Sequence, residues 1–153
     1  MKQLYAEYSF VLRALALLLM FWLYFASMAN AQPSGKWKTL SVTDVAVPPG
    51  QDPAKAETLK KMLADFTLKV GADKSFTSFS ANTLFLNISN AQWIWDDSKA
   101  TLAVVDNATP GVANPVRLMT WKVSDLKAET AVFTFTDGEN PLITFKMSKA
   151  EPQ

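Results

Sequence analysis

The sequence predicts a mostly β domain: an antiparallel meander of about 8–9 short strands with one helix inserted after the first. Three observations carry this. Apolar and polar residues alternate with a period of two from position 66 onward. Tight-turn segments such as "GADK" at 71–74, "DDSK" at 96–99 and "DGENP" at 137–141 interrupt that alternation at short intervals. No helical pattern separates the later strands, so the long crossovers needed for parallel pairing are absent. Such a meander either closes as an up-and-down barrel or splits into two packed sheets.

The elements follow in order. "KWKTLSVTDVAV" at 36–47 is rich in β-branched residues and reads as the first strand. Trp37 shares a face with Thr39 and Ser41, while Leu40 and Val42 share the other, so either a bulge lies near Thr39 or both faces are partly covered. "PPGQD" stops the strand. Asp52 is a suitable N-cap, and Pro53 suits a first helical position. Ala56, Leu59, Met62, Leu63 and Phe66 recur at three- and four-residue steps, which places a helix at about 53–64. Phe66, Leu68 and Val70 then alternate with polar residues, and "SFTSFS" at 75–80 returns. "TLFLNIS" at 83–89 reads as a strand with Leu84, Leu86 and Ile88 on one face and Phe85 on the other. "AQWIWD" at 91–96 and "ATLAVVD" at 100–106 form the next hairpin. "NATPGVANP" at 107–115 is a loop dense in turn formers. "VRLMTWKV" at 116–123, "TAVFTFT" at 130–136 and "LITFKMS" at 142–148 complete the set.

Before these elements stands a segment of another kind. Lys2 and Arg13 precede the apolar run "ALALLLMFWLYFA" at 14–26, and "SMANA" places Ala29 and Ala31 as the small residues of a cleavage site. This is the pattern of a secretory signal, so residues 1–31 are expected to be removed and 32–153 to form the domain. As an uncleaved helix, the run would span only about 20 Å of a bilayer core of roughly 30 Å. The location this implies is periplasmic or secreted. Nothing after the cleavage point would tether the protein stably to a membrane.

Residues 32–153 carry 13 basic and 13 acidic side chains, spread singly, so no polyanion such as nucleic acid is expected as a partner. The chain has no cysteine and no histidine. Disulfides are excluded, a metal site would lack its commonest ligands, and the usual nucleophile–base pairs of enzymes are missing. No phosphate-cradling glycine loop or G-x-S-x-G motif appears, and no cofactor is expected. The carboxylate pairs Asp96/Asp97 and Asp137/Glu139 fall in turn segments, where Asp bonds its own backbone. Asn87 and Asn107 open tripeptides of the glycosylation pattern.

The order of elements resembles the lipocalin-like domains found in exported bacterial proteins. The marks are "GKW" opening the first strand, the inserted helix "PAKAETLKKMLADF", the hairpin "FTLKVGADKSFTS", and then "AQWIWDDSKATLAVVD", "VRLMTWKVSDLKAETAVFTFTD" and a final "ITFKMSK". They cover nearly all of 35–149. The resemblance implies a closed barrel in which Trp37 plugs one end and Gly35 lets the chain pass close beneath it. The family often stacks an arginine from the last strand on that ring; here the last strand offers Lys146 and Lys149, and lysine can cover a ring as a cation–π partner.

A lipocalin-like barrel implies a small apolar ligand. The candidate lining is Phe76, Phe85, Trp93, Trp95, Trp121, Phe133 and Phe135, and the alternative is that these rings fill the interior as plain core. Arg117, the one arginine after residue 31, shares strand parity with Met119 and Trp121. Pointing inward it would anchor a ligand carboxylate; pointing outward it is solvated. Two functions follow: a barrel that binds a small hydrophobic molecule, or a solid-core interaction or structural module of the cell envelope with a protein or polymer partner that the sequence does not identify.

Overall fold

The computed structural model describes residues 32–106 and 115–150. The expected signal segment 1–31, most of the expected 107–115 loop and the tripeptide at Asn107 lie outside the described residues. Eight strands and one helix follow in order: β1 (Gly35–Val45), α1 (Ala54–Met62), β2 (Thr67–Val70), β3 (Ser75–Phe79), β4 (Ile88–Asp96), β5 (Thr101–Asp106), β6 (Arg117–Ser124), β7 (Thr130–Asp137) and β8 (Asn140–Lys149). Each strand pairs antiparallel with the next, and β8 pairs back onto β1. The sheet is therefore a closed barrel rather than a two-sheet sandwich, and among the described residues every strand has a paired neighbour on both sides.

One expected strand is missing. Residues 83–87 form a loop, and Ile88 belongs to β4. Local side-chain bonds explain the difference. The Asn87 amide accepts from the Ser80 N–H at 2.7 Å and donates to the Ser80 carbonyl at 2.9 Å, and the Ser78 hydroxyl donates to the Leu86 carbonyl. Such bonds give the backbone an alternative to a ladder. The alternation then loses its meaning: Leu86 is buried while Leu84 is 84% exposed.

The register gives the barrel two ends. Gly35 pairs with Val70, and Trp37 with Lys149, so the start of β1 lies beside the β2–β3 turn and the end of β8. At the opposite end lie α1, the 80–87 loop and the β7–β8 turn. β1 is bulged between Thr39 and Ser41, as one reading of its alternation required. There the Thr39 N–H and hydroxyl both donate to the Phe66 carbonyl, at 3.1 and 2.8 Å.

The helix starts where its capping residues place it. The Asp52 carboxylate accepts from the Ala54 N–H at 2.9 Å, and this satisfies one of the free donors of the first turn. Ala56 and Leu59 are half-buried against the core. Met62, the last residue of the helix, is exposed, while Leu63 and Phe66, the other members of that stripe, lie past the helix end and are fully buried. The stripe thus leads the chain off the helix and into the barrel.

Candidate functional site

The interior is built from inward residues of every strand, and aromatic rings dominate it. Trp37 sits at the β1 end, fully buried, with its indole N–H donating to the Pro33 carbonyl at 2.8 Å. Its ring meets Phe133 edge-on, centroids 5.3 Å apart. Phe133 meets Trp121 at 6.5 Å. Trp121 in turn stacks on Phe66 at 5.8 Å and touches Phe145 at 5.9 Å and Phe135 at 5.5 Å. Phe66 and Phe145 close the group at 4.8 Å. A continuous column of touching rings therefore runs from the Trp37 end to the residues that follow α1. Among the described residues, no buried side-chain nitrogen or oxygen lacks a partner.

The structure brings most of the expected lining residues into this interior. Phe76, Trp93, Trp121 and Phe133 are buried, and Trp95 and Phe135 are half-buried. One expectation is corrected, and one open alternative is decided. Phe85 is 53% exposed, because its segment is a loop and not a strand. Arg117 is exposed and does not point inward with Met119 and Trp121. A register shift places Val104 opposite Met119 but Val105 opposite Arg117, so one extra residue on β6 breaks the alternation between them. Two interior rings were not among the expected lining. Phe145 alternates in phase with Ile143 and Met147 on β8, a signal present in the sequence. Phe66 closes the helical stripe and also alternates in phase with Leu68 and Val70, and all three are buried.

At the β1 end of the barrel, Gly35 and Trp37 lie beside Lys149 of the last strand. Gly35 has φ +139°, a conformation that side chains rarely adopt, and a Cβ there would lie 2.8 Å from Lys149 Cε. The Lys149 chain crosses over Gly35 and brings its ammonium 5.5 Å from the centroid of Trp37. Gly35→Ala is expected to lower stability by about 1–3 kcal/mol, mostly from the backbone, since the lysine chain can move aside. A urea melt measures this, and an unchanged midpoint would mean that the strand start relaxes freely.

At the opposite end, β6 and β7 pair only as far as Thr120 and Thr136. Beyond that point lies an open cleft of about 430 Å³, with Arg117, Leu118 and Met119 on one side and Phe135, Asp137 and Leu142 on the other. No protein-family model matches this chain, and neither a curated protein nor a solved structure shows significant similarity to it. Its chemistry must then come from the geometry of the barrel itself.

Asp96, Asp97 and Asp65 hold local backbone and side-chain groups. The Asp96 carboxylate accepts from the Ser98 hydroxyl at 2.6 Å, and Asp97 accepts from the Trp95 indole N–H at 3.2 Å. Asp65 holds the 80–87 loop: it accepts from the Ser80 hydroxyl at 2.7 Å and the Ala81 N–H at 2.8 Å. The Ser80 hydrogen bond, with the Ala81 N–H behind it, keeps the Asp65 carboxyl below the usual carboxylate range. A depressed folded-state value stabilises the ionised form. That contribution is present above the ordinary Asp value of about 3.9 and is lost as pH falls through the lower folded value. Protection of the Ala81 and Asn82 amides from exchange, taken relative to the intrinsic rate at each pH, is therefore expected to fall in that acid range, and Asp65→Asn should remove this fall. Unchanged protection across the range would release Asp65 from this role. The Asn87 amide, tied to Ser80, is likewise occupied by structure, which weighs against its use as a glycosylation acceptor.

Proposed function

We propose that this chain is an exported, lipocalin-like barrel that serves as a solid-core interaction module of the cell envelope, with no small molecule in its interior and no catalytic role. The observation that carries this is the ring column from Trp37 through Phe133 and Trp121 to Phe66 and Phe145, which occupies the space a barrel ligand would need. The closed eight-strand order with a helix after β1, and the buried Trp37, support the lipocalin-like reading. The tripartite pattern of 1–31 supports export. Native mass spectrometry of protein purified from its own host tests the proposal. The expected mass is that of the polypeptide alone; a small molecule released only on unfolding would overturn it.

The cleft beside Arg117 favours a second reading. Its lining is mixed: Met119, Phe135 and Leu142 stand together with the Arg117 guanidinium and the polar Thr120, Thr136 and Asp137. That combination suits a small amphipathic carboxylate lying at the barrel mouth, while Asp137 disfavours ligands of higher negative charge. Titration with octanoate is expected to show weak binding that Arg117→Gln reduces about tenfold, roughly the loss of one charge-assisted hydrogen bond. Absence of heat in the octanoate titration would remove this reading and leave the first intact.

A further inference from the structure

Four of the large apolar side chains that the described residues expose belong to one region at the α1 end of the barrel. Leu84 is 84% exposed, Phe79 57%, Phe85 53% and Met62 36%. Their backbones are tied together. The Ser80 hydroxyl donates to the Met62 carbonyl at 3.2 Å and to Asp65, Asn87 clasps Ser80 on both sides, and Leu86 is sunk fully into the core. The loop is thus held from three directions while Leu84 and Phe85 stand at its tip. A loop fixed in this way cannot fold those two side chains back into the protein.

The charges around the tip are distributed unevenly. From Ser75 to Trp95 there is no ionisable side chain in 21 successive residues, so β3, the loop and nearly all of β4 carry none. The neighbouring helix carries Lys55, Lys60 and Lys61 against a single acid, Glu57, which pairs with Lys60 at 2.9 Å. Asp65, the acid that follows the helix, is engaged by the loop. An apolar apex, an uncharged surround and lysines at the margin match the layers of an anionic bilayer surface, with acyl boundary, polar interface and negative headgroups in turn. A protruding tip also suits a fluid layer that parts around it, whereas a protein partner would have to supply a pocket.

We propose that the 80–87 loop docks the barrel reversibly on an anionic membrane surface, with Leu84 and Phe85 entering the interface and the exposed Lys61 facing the headgroups. This rests on the interaction-module reading and names its partner. It is a docking contact, distinct from a spanning anchor.

The absence of cysteine makes a site-specific test direct. Leu84→Cys and, in the turn at the opposite end, Lys99→Cys are each made in the full chain and labelled with an environment-sensitive nitrobenzoxadiazole dye. Phosphatidylcholine vesicles containing phosphatidylglycerol are then added. The dye at position 84 is expected to brighten, shift to the blue and become shielded from aqueous iodide, while the dye at 99 stays accessible. Reading the dye locates the contact whatever residues 1–31 do. In the unlabelled chain the double substitution Leu84→Ser, Phe85→Ser should lower vesicle partitioning at least about tenfold, given the transfer preference of two apolar side chains. A dye at 84 that remains open to iodide in the presence of vesicles overturns the proposal. So does shielding that appears without lipid and grows with protein concentration, which would point to a second copy. Neither result touches the solid-core reading, which is tested separately by a molecule found inside the barrel and by the stability of the ring column.

Discussion

Trp121→Ala is expected to lower the unfolding free energy by about 3–5 kcal/mol and to leave a dry cavity that indole can fill. Trp121 is fully buried and is the ring on which four others converge: Phe66, Phe133, Phe135 and Phe145. Its indole N–H turns to the Met119 sulfur at 3.0 Å, so little polar surface is orphaned when it goes. The loss is mainly of packing, and the ring walls are held by seven other strands and cannot all collapse inward. Indole at about a hundred times its dissociation constant should then restore roughly 2.7 kcal/mol to the variant and none to the wild type. Thermal melts with and without indole measure both effects. A variant that melts like the wild type would show that the ring column is not the centre of the core, and the solid-core proposal would lose its support.

Trp37→Ala should be comparably costly, about 3–5 kcal/mol, for a different reason. This ring closes the end of the barrel and ties down the chain before β1 through the Pro33 carbonyl. It also carries Phe133 on one edge and the Lys149 chain beside it. Loss of the ring should therefore loosen the start of β1 and the end of β8 together, since Trp37 pairs with Lys149 across that seam. Trp37→Phe keeps an aromatic plug but loses the hydrogen bond, and should cost about 1 kcal/mol beyond the change in volume. Urea denaturation gives the two energies, and amide exchange at Lys36 and Lys149 shows where the loosening occurs. A melt unaffected by Trp37→Ala would mean that the plug contributes nothing.

These two residues differ in how far their roles were legible. Trp37 sits in a short G-x-W segment at the head of an extended run, and its place at one end of the barrel follows from being first in the meander. Trp121 shares strand parity with Met119, and that parity held. The same reasoning failed one step earlier, at Arg117, because an inserted residue reverses alternation without altering composition. It failed at Phe85 because Asn87 and Ser78, short polar residues in an apolar stretch, close a loop with Ser80 and Leu86 where alternation suggested a ladder.

The order of strands, the antiparallel sense and the helix after β1 could be read directly, because they depend on local periodicity and turn chemistry. Closure of the sheet could not. It is decided by the pairing of β1 with β8, residues a hundred positions apart, and nothing local in either strand encodes that partner. The same holds for the filled interior. Whether inward rings line a space or consume it depends on how far across the barrel each one reaches, and here Phe66 and Phe145, brought in from separate elements, occupy the middle. Alternation tells which way a side chain faces; only the closed wall sets how much room lies in front of it.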